Sequence, residues 1–127
     1  MKRMNEWVAI GVGGAAGSML RYGMSTWIYA LAGRAFPYGT LAVNVLGCLA
    51  MGFLFVLFVD RFVGNAVWRA GMLIGVLGGF TTFSSFSIET FNLIEQGEPV
   101  RALLNVLLSV VLCLGATWLG AVIGRQL

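Results

Sequence analysis

Four stretches of the chain are apolar almost throughout, covering about residues 7–31, 38–59, 67–94 and 102–123. Each reaches or exceeds the ~20 residues that a helix needs to cross a lipid core. Short polar or helix-stopping clusters separate them: Gly33-Arg34 with Pro37, Asp60-Arg61 with Gly64-Asn65, and the run Glu95-Gln96-Gly97-Glu98-Pro99. None of these connections could hold a soluble domain, so one transmembrane domain over residues 1–127 is expected. Backbone amides in hydrocarbon must find their partners within the protein, which forces spans of this kind to be helices. The pattern therefore predicts an all-α membrane protein with four transmembrane helices.

The third stretch departs from plain helical patterning at its centre, Gly78-Gly79-Phe80-Thr81-Thr82-Phe83-Ser84-Ser85-Phe86-Ser87. Two glycines followed by a hydroxyl-rich run hold a helix poorly, which predicts a break near mid-membrane. Such a break is tolerated only inside protein or beside a wet cavity. Broken helices often form ion sites, since freed carbonyls bind cations and freed amides bind anions. The competing reading is a packed kink whose Ser and Thr side chains bond back to their own helix. The interleaved phenylalanines carry two readings as well: core or lipid-facing side chains, or rings whose positive edges solvate an anion.

Two further helices carry neutral polar stripes. Thr40, Asn44 and Cys48, with Gly47 beside them, recur at helical spacing in the second stretch, and Asn105, Ser109, Cys113 and Thr117 do so in the fourth. An amide at the depth of Asn44 needs partners or a wet path. Inter-helix hydrogen bonding would account for single residues, but three neutral polar tracks in so small a chain favour a pathway. Charges at membrane depth are few. Arg21 is a candidate vestibule charge or structural anchor, of which the anchor is favoured because a bound anion would be held too tightly for fast passage. Glu89 reads as a satisfied polar group.

Composition strengthens the membrane reading. Of 127 residues, 59% are hydrophobic and 10% charged, with a mean hydropathy of +0.90; soluble domains carry about 25% charged residues. One Lys and seven Arg oppose five carboxylates, giving a net charge of +3 without any basic run, so nucleic-acid binding has no footprint. With a cytoplasmic N-terminus, Lys2, Arg3, Arg61, Arg69 and Arg125 lie inside and Arg34 and Arg101 outside, a small bias that leaves room for insertion both ways. Lys2-Arg3 before an apolar run, with Ala30-Leu31-Ala32 after it, imitates a signal peptide; Arg21 and the length of the run favour a first transmembrane helix. Glycines at i, i+4 (Gly13 and Gly17; Gly71, Gly75 and Gly79; Gly120 and Gly124) suit either tight packing in one bundle or a subunit interface. Cys48 and Cys113 read as small buried side chains rather than a disulfide, and the lack of His leaves no zinc or haem pattern.

The runs Gly13-Gly14 through Gly17 to Arg21-Tyr22, Gly39-Thr40-Leu41-Ala42-Val43-Asn44-Val45-Leu46-Gly47, and Gly78-Gly79-Phe80-Thr81-Thr82-Phe83-Ser84-Ser85-Phe86 resemble the Fluc family of fluoride channels, camphor-resistance-type small membrane proteins. The resemblance spans essentially the whole chain. It implies a multi-pass protein of the bacterial cytoplasmic (inner) membrane, assembled as an antiparallel, dual-topology homodimer of inverted copies. It further implies passive, selective fluoride export that relieves fluoride toxicity. By the same resemblance Asn44, Phe83 and Phe86 line the fluoride pore, as do Thr40, Ser109 and Cys113. A structural sodium ion at the dimer interface would rest on the carbonyls of Gly78 and Thr81, and Arg21 matches the first-helix arginine. Where the family's fourth-helix track often has a tyrosine, this chain has Asn105 nearby.

Other functions fit less well. A proton-coupled exporter of the small multidrug resistance type needs a first-helix carboxylate, and none lies between Trp7 and Leu31. A fluoride/proton-coupled exporter would have to use Glu89. A non-transporting membrane scaffold would use only the glycine faces. No nucleophile–base pair, metal cluster or phosphate loop points to an enzyme.

Overall fold

A computed structural model describes residues 2–61 and 65–127 as an all-helical chain. Gly64, assigned to the second connection, lies outside the described residues. The first helix spans Lys2–Ala32 and stops at Gly33, whose φ of 84° only glycine adopts freely; its N–H closes on the Tyr29 carbonyl at 2.8 Å. The second helix, Tyr38–Phe55, follows Pro37 and continues through a π-helical turn, Val56–Arg61. Asn65 starts the third span by accepting the Val67 N–H at 2.9 Å, an N-cap.

The third span has two arms. Its leading arm runs over residues 66–80, as Ala66–Arg69, a π-helical stretch Ala70–Val76, and Leu77–Phe80. Thr81 and Thr82 are extended, and the trailing arm, Phe83–Glu95, begins after them. Gly97, at φ 77°, ends that arm: its N–H bonds to the Ile94 carbonyl and the Glu98 N–H to that of Leu93, a Schellman closure. The fourth helix spans Pro99–Gln126. It begins before Ala102, where the apolar run starts, because Pro99 suits a helix's first position.

Packing is organised in two parallel pairs. The first helix lies along the leading arm, so that a Cβ added at Gly13 would strike the Gly71 carbonyl and one at Gly17 the Val76 carbonyl. Gly75 and Gly79 reciprocate against Gly13 and Gly14. The second helix lies along the fourth in the same way, Gly52 against Thr117 and Gly120 against Leu49. These glycines therefore serve close backbone approach within one chain.

The buried core is small, built from Val43, Val56, Leu73, Leu77, Phe80 and Leu93. Most large apolar side chains, such as Trp7, Leu20, Trp27, Leu107, Val111 and Trp118, face outward. Water would not tolerate so much exposed apolar surface. Three helices, Tyr38–Val59, Ala66–Glu95 and Pro99–Gln126, are long and apolar enough to cross a membrane. The first helix is as long, but its glycines and Arg21 dilute its hydropathy.

Candidate functional site

The extended Thr81–Thr82 step leaves backbone groups without helical partners, and the site is built from how they are satisfied. The Thr82 N–H donates to Asn44 Oδ1 at 2.8 Å, and Asn44 Nδ2 donates to the Thr82 carbonyl at 3.0 Å. One amide side chain from the second helix thus brackets both polar groups of the residue where the helix is interrupted. The Thr82 hydroxyl then caps the trailing arm by accepting the Ser85 N–H at 3.1 Å, while the Thr81 hydroxyl donates back to the Leu77 carbonyl at 2.9 Å.

The interruption frees the carbonyls of Gly78 and Thr81, and those of Gly79 and Phe80 between them, from helical partners. In a continuous helix the Thr82 N–H would bond to the Gly78 carbonyl and the Ser85 N–H to that of Thr81. Both amides are instead taken by side chains, Asn44 and Thr82. Gly78 lies on the exposed face of the chain, with only open space where a side chain would stand nearer than 3.9 Å. The adjacent Gly79 carbonyl accepts from Arg21 Nε at 3.0 Å, which sets a guanidinium at the C-terminal end of the leading arm, where the helix dipole favours a cation.

A cavity of ≈ 400 Å³ opens beside the bracket. Asn44, Thr81, Thr82, Phe83, Phe86, Ser109 and Cys113 line it, with Gly47, Cys48 and Met51 from the second helix. The Phe83 and Phe86 rings lie 5.4 Å apart, tilted by 52°. Phe83 is 78% exposed, so one chain forms an open groove rather than a closed tube. The donors on this wall are neutral: Asn44 Nδ2 carries two N–H groups, of which the Thr82 carbonyl takes one. Among the described residues no cation lines the cavity.

Thr40 and Arg21 stand apart from that group. Together with Tyr22, Ser25, Tyr29, Arg34 and Glu89 they line a second cavity of ≈ 240 Å³, and Thr82 is common to both linings. Here Glu89 accepts from the Tyr29 hydroxyl and the Thr40 hydroxyl, each at 2.7 Å, so both of its oxygens are engaged. The Arg34 guanidinium stacks over the Tyr29 ring at 4.6 Å. Tyr29 was not singled out by the residue pattern; a phenol near the end of an apolar helix, with a membrane-depth carboxylate elsewhere, was the available signal.

The fourth-helix track divides too. Ser109 reaches the first cavity, whereas Asn105, 1% exposed, donates to Thr90 Oγ1 at 2.8 Å and accepts from Ser109 at 3.5 Å. Thr117 bonds to the Cys113 carbonyl of its own helix. Cys48 and Cys113 are free thiols, and both are half-exposed toward the cavity rather than buried.

Comparison with known proteins identifies the family. Residues 8–121 match the family model described as CrcB-like protein, Camphor Resistance (CrcB). A Coxiella burnetii protein named fluoride-specific ion channel FluC is 58% identical over 117 residues, 91% of this chain and 94% of its own length. Its namesake from Geobacter sulfurreducens is 52% identical, covering 98% of this chain and all of its own. One from Methylococcus capsulatus is 54% identical over 94% of this chain but only 52% of its own length. Matched across nearly its whole length by that family model and by relatives more than half identical, the protein belongs to the CrcB-like, camphor-resistance family.

Proposed function

We propose that the chain is a passive fluoride channel, not an enzyme, that lets fluoride leave the cytoplasm across the inner membrane. The carrying observation is the convergence at the interrupted helix: Asn44, Phe83, Phe86, Ser109 and Cys113 share one cavity without a fixed positive charge. Fluoride entering it meets an amide N–H, hydroxyl and thiol donors, and ring edges in place of hydration water. Neutral donors hold an anion loosely enough to release it, which conduction requires. Thr40 sits in the adjoining cavity, whose Arg21 and Arg34 draw anions toward the mouth of the path.

In this reading the interruption lies near the middle of the bilayer, and all four helices span it. An inverted second copy completes an antiparallel dual-topology homodimer and walls the open groove at Phe83. The exposed apolar surface and the weak charge bias support such an assembly. The released carbonyls of Gly78 and Thr81 suit a hard cation such as sodium, which binds oxygen. Two carbonyls are too few for it alone, so the ion would join the two copies at their interface.

Efflux from liposomes reconstituted with purified protein tests the function. Fluoride leaves rapidly with valinomycin and without a pH gradient, and chloride is retained. Efflux only under a proton gradient would overturn the channel reading and favour a fluoride/proton-coupled exporter working through Glu89, both of whose oxygens accept hydroxyl donors. Retained assembly and unchanged function in Phe83→Ile would favour a non-transporting scaffold.

A further inference from the structure

Cys48 of the second helix and Cys113 of the fourth both line the first cavity. The second and fourth helices run parallel and in register, with Gly52 abutting Thr117, and each cysteine lies one turn before that contact on its own helix. Neither is in a disulfide and neither is buried. The thioether of Met51, one turn from Cys48, lines the same space and adds a third polarizable sulfur.

We propose that Cys48 and Cys113 form a two-sulfur chelate for a soft divalent cation, with Hg2+ as the probe, and that its occupation closes the cavity. Thiolate ligands select soft ions. Among the described residues no group of three or more His, Cys, Asp or Glu is assembled, so Zn2+, which takes four ligands, is poorly served. Hg2+ accepts two sulfurs in a line. Two S–H bonds lose their protons to water and two Hg–S bonds form, with no change of oxidation state. The product S–Hg–S unit is neutral, which matters in an apolar cavity where a net charge would be costly. Closure rests on the reading of this cavity as the fluoride path; chelation does not.

Purified protein is titrated with Hg2+, following the thiolate-to-mercury absorption band and the thiols left for maleimide labelling, and efflux is measured in parallel. One Hg2+ per chain consumes both thiols and stops fluoride efflux, and a dithiol reverses both. In Cys48→Ala, whose efflux is read against its own mercury-free rate, affinity falls roughly 100-fold or more because the second bond is no longer intramolecular. Cys48→Ser serves if the alanine variant folds poorly. Two Hg2+ per wild-type chain, or equal affinity in the Cys48 variants, overturns the chelate. One Hg2+ per chain with efflux unchanged keeps the chelate and overturns its place on the conduction path.

Discussion

Replacing Asn44 with alanine removes two hydrogen bonds at Thr82 at once: the acceptor of its N–H, and a side-chain donor to its carbonyl, which as the N-cap carbonyl also accepts the first amide of the trailing arm. The lost bonds are those from the Thr82 N–H to Oδ1 at 2.8 Å and from Nδ2 to the Thr82 carbonyl at 3.0 Å. An orphaned backbone N–H costs about 1–3 kcal/mol when buried and one ordinary hydrogen bond to a carbonyl that keeps another donor is worth about 0.5–1.5 kcal/mol, so the two bound the loss at roughly 1.5–4.5 kcal/mol. Asn44 is half-buried beside a cavity that admits water, and water can replace part of each bond. The expected loss is therefore in the lower half, about 2–3 kcal/mol. Asn44→Asp keeps the acceptor but not the donor, so it should lose about half as much, roughly 1–1.5 kcal/mol. It also adds a negative charge to an anion path, so its efflux should fall below what its stability explains. Unfolding in detergent, followed by tryptophan fluorescence, measures the stabilities; hydrogen exchange at the Thr82 amide reports the bracket directly. A loss below about 0.5 kcal/mol in Asn44→Ala, with Thr82 exchange unchanged, would refute the bracket.

Three further outcomes follow from the geometry. Gly17→Ala would press a methyl onto the Val76 carbonyl, and since only backbone surrounds it the loss should reach about 1–3 kcal/mol; unfolding at wild-type temperature would show that the first helix does not sit there. Thr82→Val should lower stability by about 0.5–2 kcal/mol through the missing cap to Ser85, whereas Thr82→Ser keeps it; equal loss in both variants would remove the cap from the account. Glu89→Gln should retain gradient-independent fluoride efflux while losing about 1–2 kcal/mol, because the amide has a single acceptor oxygen and leaves one of the Tyr29 and Thr40 hydroxyls without its acceptor. Abolished efflux in a folded Glu89→Gln protein would contradict the channel mechanism.

Helix positions were readable because lipid imposes one rule on every span, and their ends because Gly33, Asn65 and Gly97 act locally. The glycine faces were legible as close contacts, yet spacing alone could not say whether Gly13 meets Gly75 or another copy. Side-chain partners across helices were harder still. Thr40 and Asn44 share a stripe on the second helix, but successive positions on such a stripe rotate around the axis, and the third span presents Glu89 to one and Thr82 to the other. Asn105 looked like a lining residue and is instead tied to Thr90, a pairing set by how the fourth helix meets the trailing arm. What spacing cannot encode is the identity of the facing helix.

The bracket across the interrupted span also orders biogenesis. A third span entering lipid alone would carry a bare amide at Thr82, unfavourable in hydrocarbon by several kcal/mol. Asn44 emerges from the ribosome before Thr82, so the second helix can be waiting in the bilayer when the third arrives. A rearranged gene that delivers the third span first would have no such partner ready, and its product should stall at the insertion machinery or be degraded, even though every contact of the finished protein is preserved.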